Sequence, residues 1–261
     1  MVSQVSPDRT GLKVRAVAGV LAVLWGYLFF GITDLLVFLQ GPEFVADTML
    51  ETGWGLLFVF LVAVPLAVVA VTPTIPVTAL QQIHLVAAAL AAAGVVSLAP
   101  AQWVVAAALI GSAQWLAALT GSPTMWLRRP GRWSWLPGAV VLAGVVPGLG
   151  YMLASASSAR NGEHPITTWG LDHWPVQAAL PLAVLACAAL AATYPPGWPV
   201  PAWCAAVSAG WFGVLAWTHP EVVASVDRPW AVAAVGWGVG FVLTIHWGAA
   251  KGPRRRGPAV G

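Results

Sequence analysis

The sequence predicts an all-α fold: a polytopic membrane bundle of about eight transmembrane helices with both termini cytoplasmic. Three observations carry that expectation. Apolar residues fill 59% of 261 positions and charged residues only 8%, against about 25% charge in water-soluble domains. The apolar residues gather into runs of about 18 or more, long enough to cross the bilayer core as helices. Finally, the charges sort onto two faces when eight spans are threaded. Ten of the twelve basic residues (Arg9, Lys13, Arg15, Arg128, Arg129, Arg132, Lys251 and Arg254 to Arg256) fall on one face, leaving Arg160 and Arg228 opposite. Seven of the nine acids fall on the other face: Glu43, Asp47, Glu51, Glu163, Asp172, Glu221 and Asp227. By the positive-inside rule the basic face is cytoplasmic, which makes the inner membrane of a bacterial-type cell the expected location.

The spans follow in order. The first, 14–39, comes after Lys13 and Arg15 and outruns the roughly 7–15-residue core of a signal peptide, so it reads as a retained helix. The second and third are expected over 53–71 and 76–98, and the fourth over 102–120. Spans five to eight are placed at 135–156, 174–194, 201–218 and 229–249. Pro65, Pro147 and Pro181 fall inside spans two, five and six, where neighbouring helices can satisfy the freed carbonyls. The longer connections, 40–52, 121–134 and 157–173, leave no room for a separate soluble domain, so 1–261 reads as one transmembrane domain. A short echo, VPLAVVA at 64–70 and LPLAVLA at 180–186, is compatible with a duplication of four spans.

Polar residues within spans are costly in hydrocarbon and ask for a reason. Helical rise sorts them into two layers. An outer layer holds Asp34, His173 and Gln177. His173 and Gln177, four apart, share one helix face, and with Asp34 at similar depth they could move a proton, hold a metal or bind a polar headgroup. Asp172 is expected to cap span six, with Pro175 tolerated in the first turn. An inner layer holds Gln81, Gln82, His84, Gln114 and His246. The glutamines read as interhelical hydrogen-bond glue. His84 and His246 invite an axial-ligand reading for haem, which their different depths oppose. No ionisable side chain lies between the layers.

These features exclude several classes. A midplane without ionisable groups argues against a proton relay, and spans without lysine argue against a retinal Schiff base. The sequence has no phosphate loop, no serine-nucleophile motif and no multiple histidine boxes. The basic clusters RRPGR and KGPRRR read as topology determinants that meet anionic lipid, so nucleic acid is not an expected partner. Cys187 and Cys204 read as small buried hydrophobes. Outer-loop Glu163, His164, His219, Glu221 and Asp227 would bind a metal only if they converged, and their spacing matches no ligand motif; no metal site is expected.

Gly144 with Gly148, and Gly236 with Gly240, make GxxxG pairs suited to close helix packing. Trp25, Trp115, Trp211 and Trp237 could line a cavity for a flat apolar ligand or simply pack. The leading functional expectation is binding or translocation of a lipophilic or small molecule through the outer polar layer, with Gln177, Gln82, His84, Gln114 and His246 as candidate ligand-binding residues. The second is an integral membrane enzyme on a lipid or isoprenoid, with Asp34, Asp172 and His173 as acid/base candidates and aromatic rings to steady a cation. A non-catalytic accessory subunit is the third. The residues assign no cofactor and no protein partner; the lipid bilayer is the one surrounding they imply.

Overall fold

The computed structural model describes residues 8–72, 76–121, 131 and 133–251. The chain is 81% helical, with eight helices long and apolar enough to cross a membrane. The basic residues Arg128, Arg129, Arg132 and Arg254 to Arg256 lie outside the described residues.

The first span departs from the expected continuous helix over 14–39. Helix α1 (Asp8–Val23) runs on through a π-helical turn, Leu24–Leu28, and breaks at Phe29 and Phe30, where Phe30 takes a left-handed φ of 63°. The chain then turns into a short helix, α2 (Gly31–Leu35), followed by 3-10 turns at Val37–Leu39 and Pro42–Asp47. A β-carbon on Gly31 would stand 2.9 Å from the Gly26 carbonyl oxygen, so the reversal depends on glycine there.

The second span also begins earlier than expected. Its apolar stretch covers Phe44–Val71, built from α3 (Thr48–Gly55), a π-helical stretch Leu56–Ala63 and α4 (Val64–Val71). Pro65 has no N–H to return to the carbonyl of Leu61, four residues back. Gln82 supplies the missing donor: its Nε2 reaches the Leu61 oxygen at 3.0 Å. This is the interhelical glue role expected of Gln82, tied here to a particular proline.

The remaining spans match their sequence positions closely: α5 (Val77–Val96), α6 (Ala101–Leu119), α7 (Trp135–Asn161), α8 (His173–Ala191), α9 (Pro199–Thr218) and α10 (Arg228–Lys251). A small antiparallel hairpin, β1 (Thr167–Thr168) and β2 (Leu171–Asp172), leads into α8. Helix α8 is the hub, packed against α3, α5, α7 and α9, while α9 pairs with α10 and α1 with α4 and α6.

Glycines set how closely these helices approach. Gly144 and Gly148 of α7 face Leu185 of α8, at 3.0 and 2.9 Å from an added β-carbon, so this GxxxG pair packs as expected. The pair in span eight does not: nothing lies within 4 Å of a β-carbon on Gly236 or Gly240. Gly238 fills that role instead, 2.6 Å from the Ala206 carbonyl oxygen of α9. The exterior carries many large apolar side chains, Val104, Trp135, Val146 and Leu243 among them. Water would not tolerate such a surface around a monomer; hydrocarbon would.

Candidate polar site at one end of the bundle

Alternate connections between the spans meet at one end of the bundle. Arg160, closing α7, donates to the Val96 carbonyl at the end of α5. Gln102, opening α6, donates to the Asp172 carbonyl at 3.2 Å. Tyr151 donates to the Ala224 carbonyl in the α9–α10 connection at 2.6 Å. His164 Nε2 and Asp47 Oδ1 lie within hydrogen-bond distance, at 2.7 Å. The polar residues of the expected outer layer lie at this end.

Asp34, Glu51 and His173 come together there. Each offers one ligand-capable atom, and these atoms all lie within 4.8 Å of one another. Asp34 is 4% exposed, His173 is fully buried and Glu51 is half-buried. Asp34 sits on α2, which exists because the first span breaks at Phe30. Glu51 sits in the first turn of α3. The two helices touch backbone to backbone at Gly55, where a β-carbon would stand 2.5 Å from Leu35 Cα. That close approach brings the two carboxyls side by side. His173 enters as the first residue of α8, its Nε2 within hydrogen-bond distance of Thr168 Oγ1 on β1, at 2.9 Å. Its ring stacks on Trp54, centroids 4.6 Å apart. Aromatic contacts continue from there: Trp54 stands tilted to Phe58 at 4.9 Å, Phe29 meets Phe58 edge-on at 4.8 Å, and Trp25 stacks on Phe58 at 5.8 Å.

Gln177 lies one turn beyond His173 and is fully buried. Its side chain presses on Gly53 so closely that no β-carbon fits there, and its Nε2 donates to the Tyr151 hydroxyl. Several buried atoms at this end have no hydrogen-bond partner: Asp34 Oδ2, Thr52 Oγ1, His173 Nδ1 and Gln177 Oε1. An unsatisfied buried polar atom costs about 1–3 kcal/mol. Such a cluster is unusual for a segment that only packs.

Asp172 takes the capping role expected of it. Its carboxylate accepts from the Trp174 N–H at 3.1 Å, and Pro175 lies in the turn that follows. Burial pushes the Asp172 carboxyl above the ordinary carboxylate range, against the opposing pull of the Trp174 and His173 backbone N–H groups. Asp172 thus caps α8, and the acids whose carboxyls gather with His173 are Asp34 and Glu51. The exposed Glu163 carboxyl is held below its usual range by hydrogen bonds from Ser158 and Asn161.

The inner-layer residues resolve into separate helix–helix contacts. His84 donates through Nδ1 to the Leu80 carbonyl at 2.8 Å, leaving Nε2 to accept from Gln114 at 3.1 Å. His246 donates to the Val242 carbonyl at 2.9 Å and stands edge-on to Trp198 and Trp203. His84 is thus engaged with α6 and His246 with α9 and its approach; neither set of contacts builds a facing imidazole pair. Nor do the four tryptophans share one cavity: Trp25 is buried against Ser112, Trp211 stands 5.7 Å from Phe38, Trp237 donates to the Val140 carbonyl at 2.7 Å, and Trp115 is 54% exposed. Of the outer-loop residues, His164 pairs with Asp47 and His219 with the adjacent Thr218. Among the described residues, the one grouping of three His, Cys, Asp or Glu ligand atoms is Asp34, Glu51 and His173.

The threaded spans place Asp34 and His173 in one layer and Glu51 in the connection 40–52. A start of span two at residue 53 put Glu51 outside it; the helix begins at Thr48 and carries Glu51 inward. The available signal was the glycine pair around Trp54, which marks a helix face that another backbone can approach. Tyr151 and Thr168 carried no signal at all. No protein-family model matches the chain, and no curated protein or solved structure matches it either.

Proposed function

We propose that this membrane protein binds a small polar molecule or ion, or the polar head of a lipophilic one, through Asp34, Glu51, His173 and Gln177 at the outer end of its bundle. The cytoplasmic placement of both termini belongs to the same proposal and rests on the segregation of basic residues. The single observation that carries the reading is the set of buried polar atoms without partners on α2, α3 and α8. A ligand that supplied those partners would recover the free energy their burial costs. A pathway through the membrane is not part of the reading, because Asp34, Glu51, His173 and Gln177 lie together at one end while the inner-layer polar groups engage in separate helix contacts.

The test is native mass spectrometry of the protein purified in mild detergent. A copurifying species that is retained by the wild type and released by His173→Ala supports binding. A protein that carries and takes up nothing, and in which His173→Ala and Asp34→Asn change stability alone, overturns it in favour of an accessory role.

One observation favours a second reading, an enzyme acting on a lipid or isoprenoid. The aromatic cluster from Trp54 to Trp25 begins on the His173 ring, and rings beside an acid can steady a developing cation. Under that reading Asp34→Asn abolishes turnover of a copurifying lipid while the fold persists.

A further inference from the structure

We infer that Asp34, Glu51 and His173 hold a divalent transition-metal ion of the zinc class, a site that rests on the reading of this cluster as a binding centre and names what it binds. The donor set is one imidazole nitrogen and two carboxylates, the mixture that borderline cations take in sites with an open coordination position. Zinc bonds of about 2.0–2.2 Å separate tetrahedral ligand atoms by roughly 3.4 Å. The three donors, already within 4.8 Å of one another, need to close by no more than about 1.4 Å.

Three independent features point the same way. First, Asp34 Oδ2 and His173 Nδ1 have no partner although both side chains are more than nine-tenths buried. Second, His173 has an outer hydrogen-bonding partner of the kind that metal-bound histidines use. Its Nε2 lies 2.9 Å from Thr168 Oγ1; an ion on Nδ1 would make that contact an Nε2–H donor to the hydroxyl and so fix the tautomer. Third, the charges balance. Two carboxyls lie together in a largely buried setting, and among the described residues neither is ion-paired with a lysine or arginine. A dication cancels both charges where no protein cation does. Asp47, one helical turn before Glu51 and 27% exposed in its contact with His164, stands at the solvent side of the cluster. It offers an entering cation a first carboxylate.

Protons could instead be shared between the two carboxyls, and the experiment separates the cases. Full-length protein in mild detergent is stripped with chelator, titrated with Zn2+ and, separately, Co2+, and desalted before its metal content is measured. The expected result is one ion per chain, with a visible Co2+ absorption spectrum of tetrahedral type. Asp34→Asn and Glu51→Gln should each weaken binding at least 100-fold, and Thr168→Ala, which touches only the imidazole, 10- to 100-fold. Glu221→Gln should leave it unchanged. No Zn2+ or Co2+ retained by the wild type, or retention equal in Glu51→Gln and wild type, overturns the metal. The Co2+ spectrum decides even where a variant fails to fold. An organic ligand found by native mass spectrometry in a wild type that takes no metal would sink this inference and leave the preceding reading standing.

Discussion

The site depends on α2 and α3 meeting without side chains between them, and Gly55→Ala tests that directly. A β-carbon there would stand 2.5 Å from Leu35 Cα and 2.6 Å from Leu35 Cβ. Ordinary carbon contacts lie at about 3.5–4.0 Å, so α2 must retreat by roughly 1 Å. Leu35 is held by backbone, which leaves no flexible chain end to swing aside. Overpacking of this kind costs about 1–3 kcal/mol. For a chain of this size that lowers the unfolding midpoint by roughly 2–10 °C, measurable by intrinsic fluorescence with 16 tryptophans. Because Asp34 adjoins Leu35, the same retreat carries its carboxyl away from Glu51, and Zn2+ affinity should fall with stability. The matched control is Gly111→Ala on α6, where nothing lies within 4 Å of the new carbon. It should be neutral or stabilising by about 0.5–1 kcal/mol, as alanine is favoured over glycine within a helix. A Gly55→Ala protein that melts with the wild type and binds metal equally well would refute the close approach of α2 to α3.

Four further outcomes follow from the same geometry. Asp172→Ala should lose about 1 kcal/mol with the α8 cap. Burial raises the folded-state pKa of Asp172, so its contribution to stability declines as pH rises from the ordinary carboxylate value, and Asp172→Asn, which keeps the cap without ionising, should match or exceed the wild type at neutral pH in a thermal scan. Tyr151→Phe removes the hydroxyl between Gln177 and the Ala224 carbonyl and should cost about 1–3 kcal/mol by leaving buried groups unpaired; an unchanged midpoint would show the pair to be solvated. Gln114→Leu breaks one contact between α5 and α6 and should cost only about 0.6 kcal/mol. Zn2+ at a hundredfold excess over its dissociation constant should stabilise the wild type by about 2.7 kcal/mol, a shift that Glu51→Gln abolishes.

How far the sequence reaches can be read from single residues. That Asp34 and His173 lie at one end of the bundle was legible because each stands within a few residues of the same end of its expected span, although the break at Phe30 means that helical rise alone did not set the depth of Asp34. The Asp172 cap was legible because capping is local. Gln82 was legible as glue, but its partner was not. The Leu61 carbonyl needs it because Pro65 lacks an N–H, and that carbonyl belongs to a span 21 residues earlier in the chain. Gly236 and Gly240 show the opposite failure: the GxxxG spacing is present, yet the helix is rotated so that Gly238 meets α9.

The sequence by itself determined the solvent and the helix count, because composition and run length answer directly to the thickness and dryness of a bilayer. It also determined which acid caps α8. Only the tertiary structure decided that the first span breaks at Phe30 and that the second begins early enough to carry Glu51 inward. Residue count along a helix fixes depth but not where a helix yields to packing. The bend and the glycine contact between α2 and α3 are won in competition with every neighbouring helix, and that competition is what sets Glu51 beside Asp34 and His173.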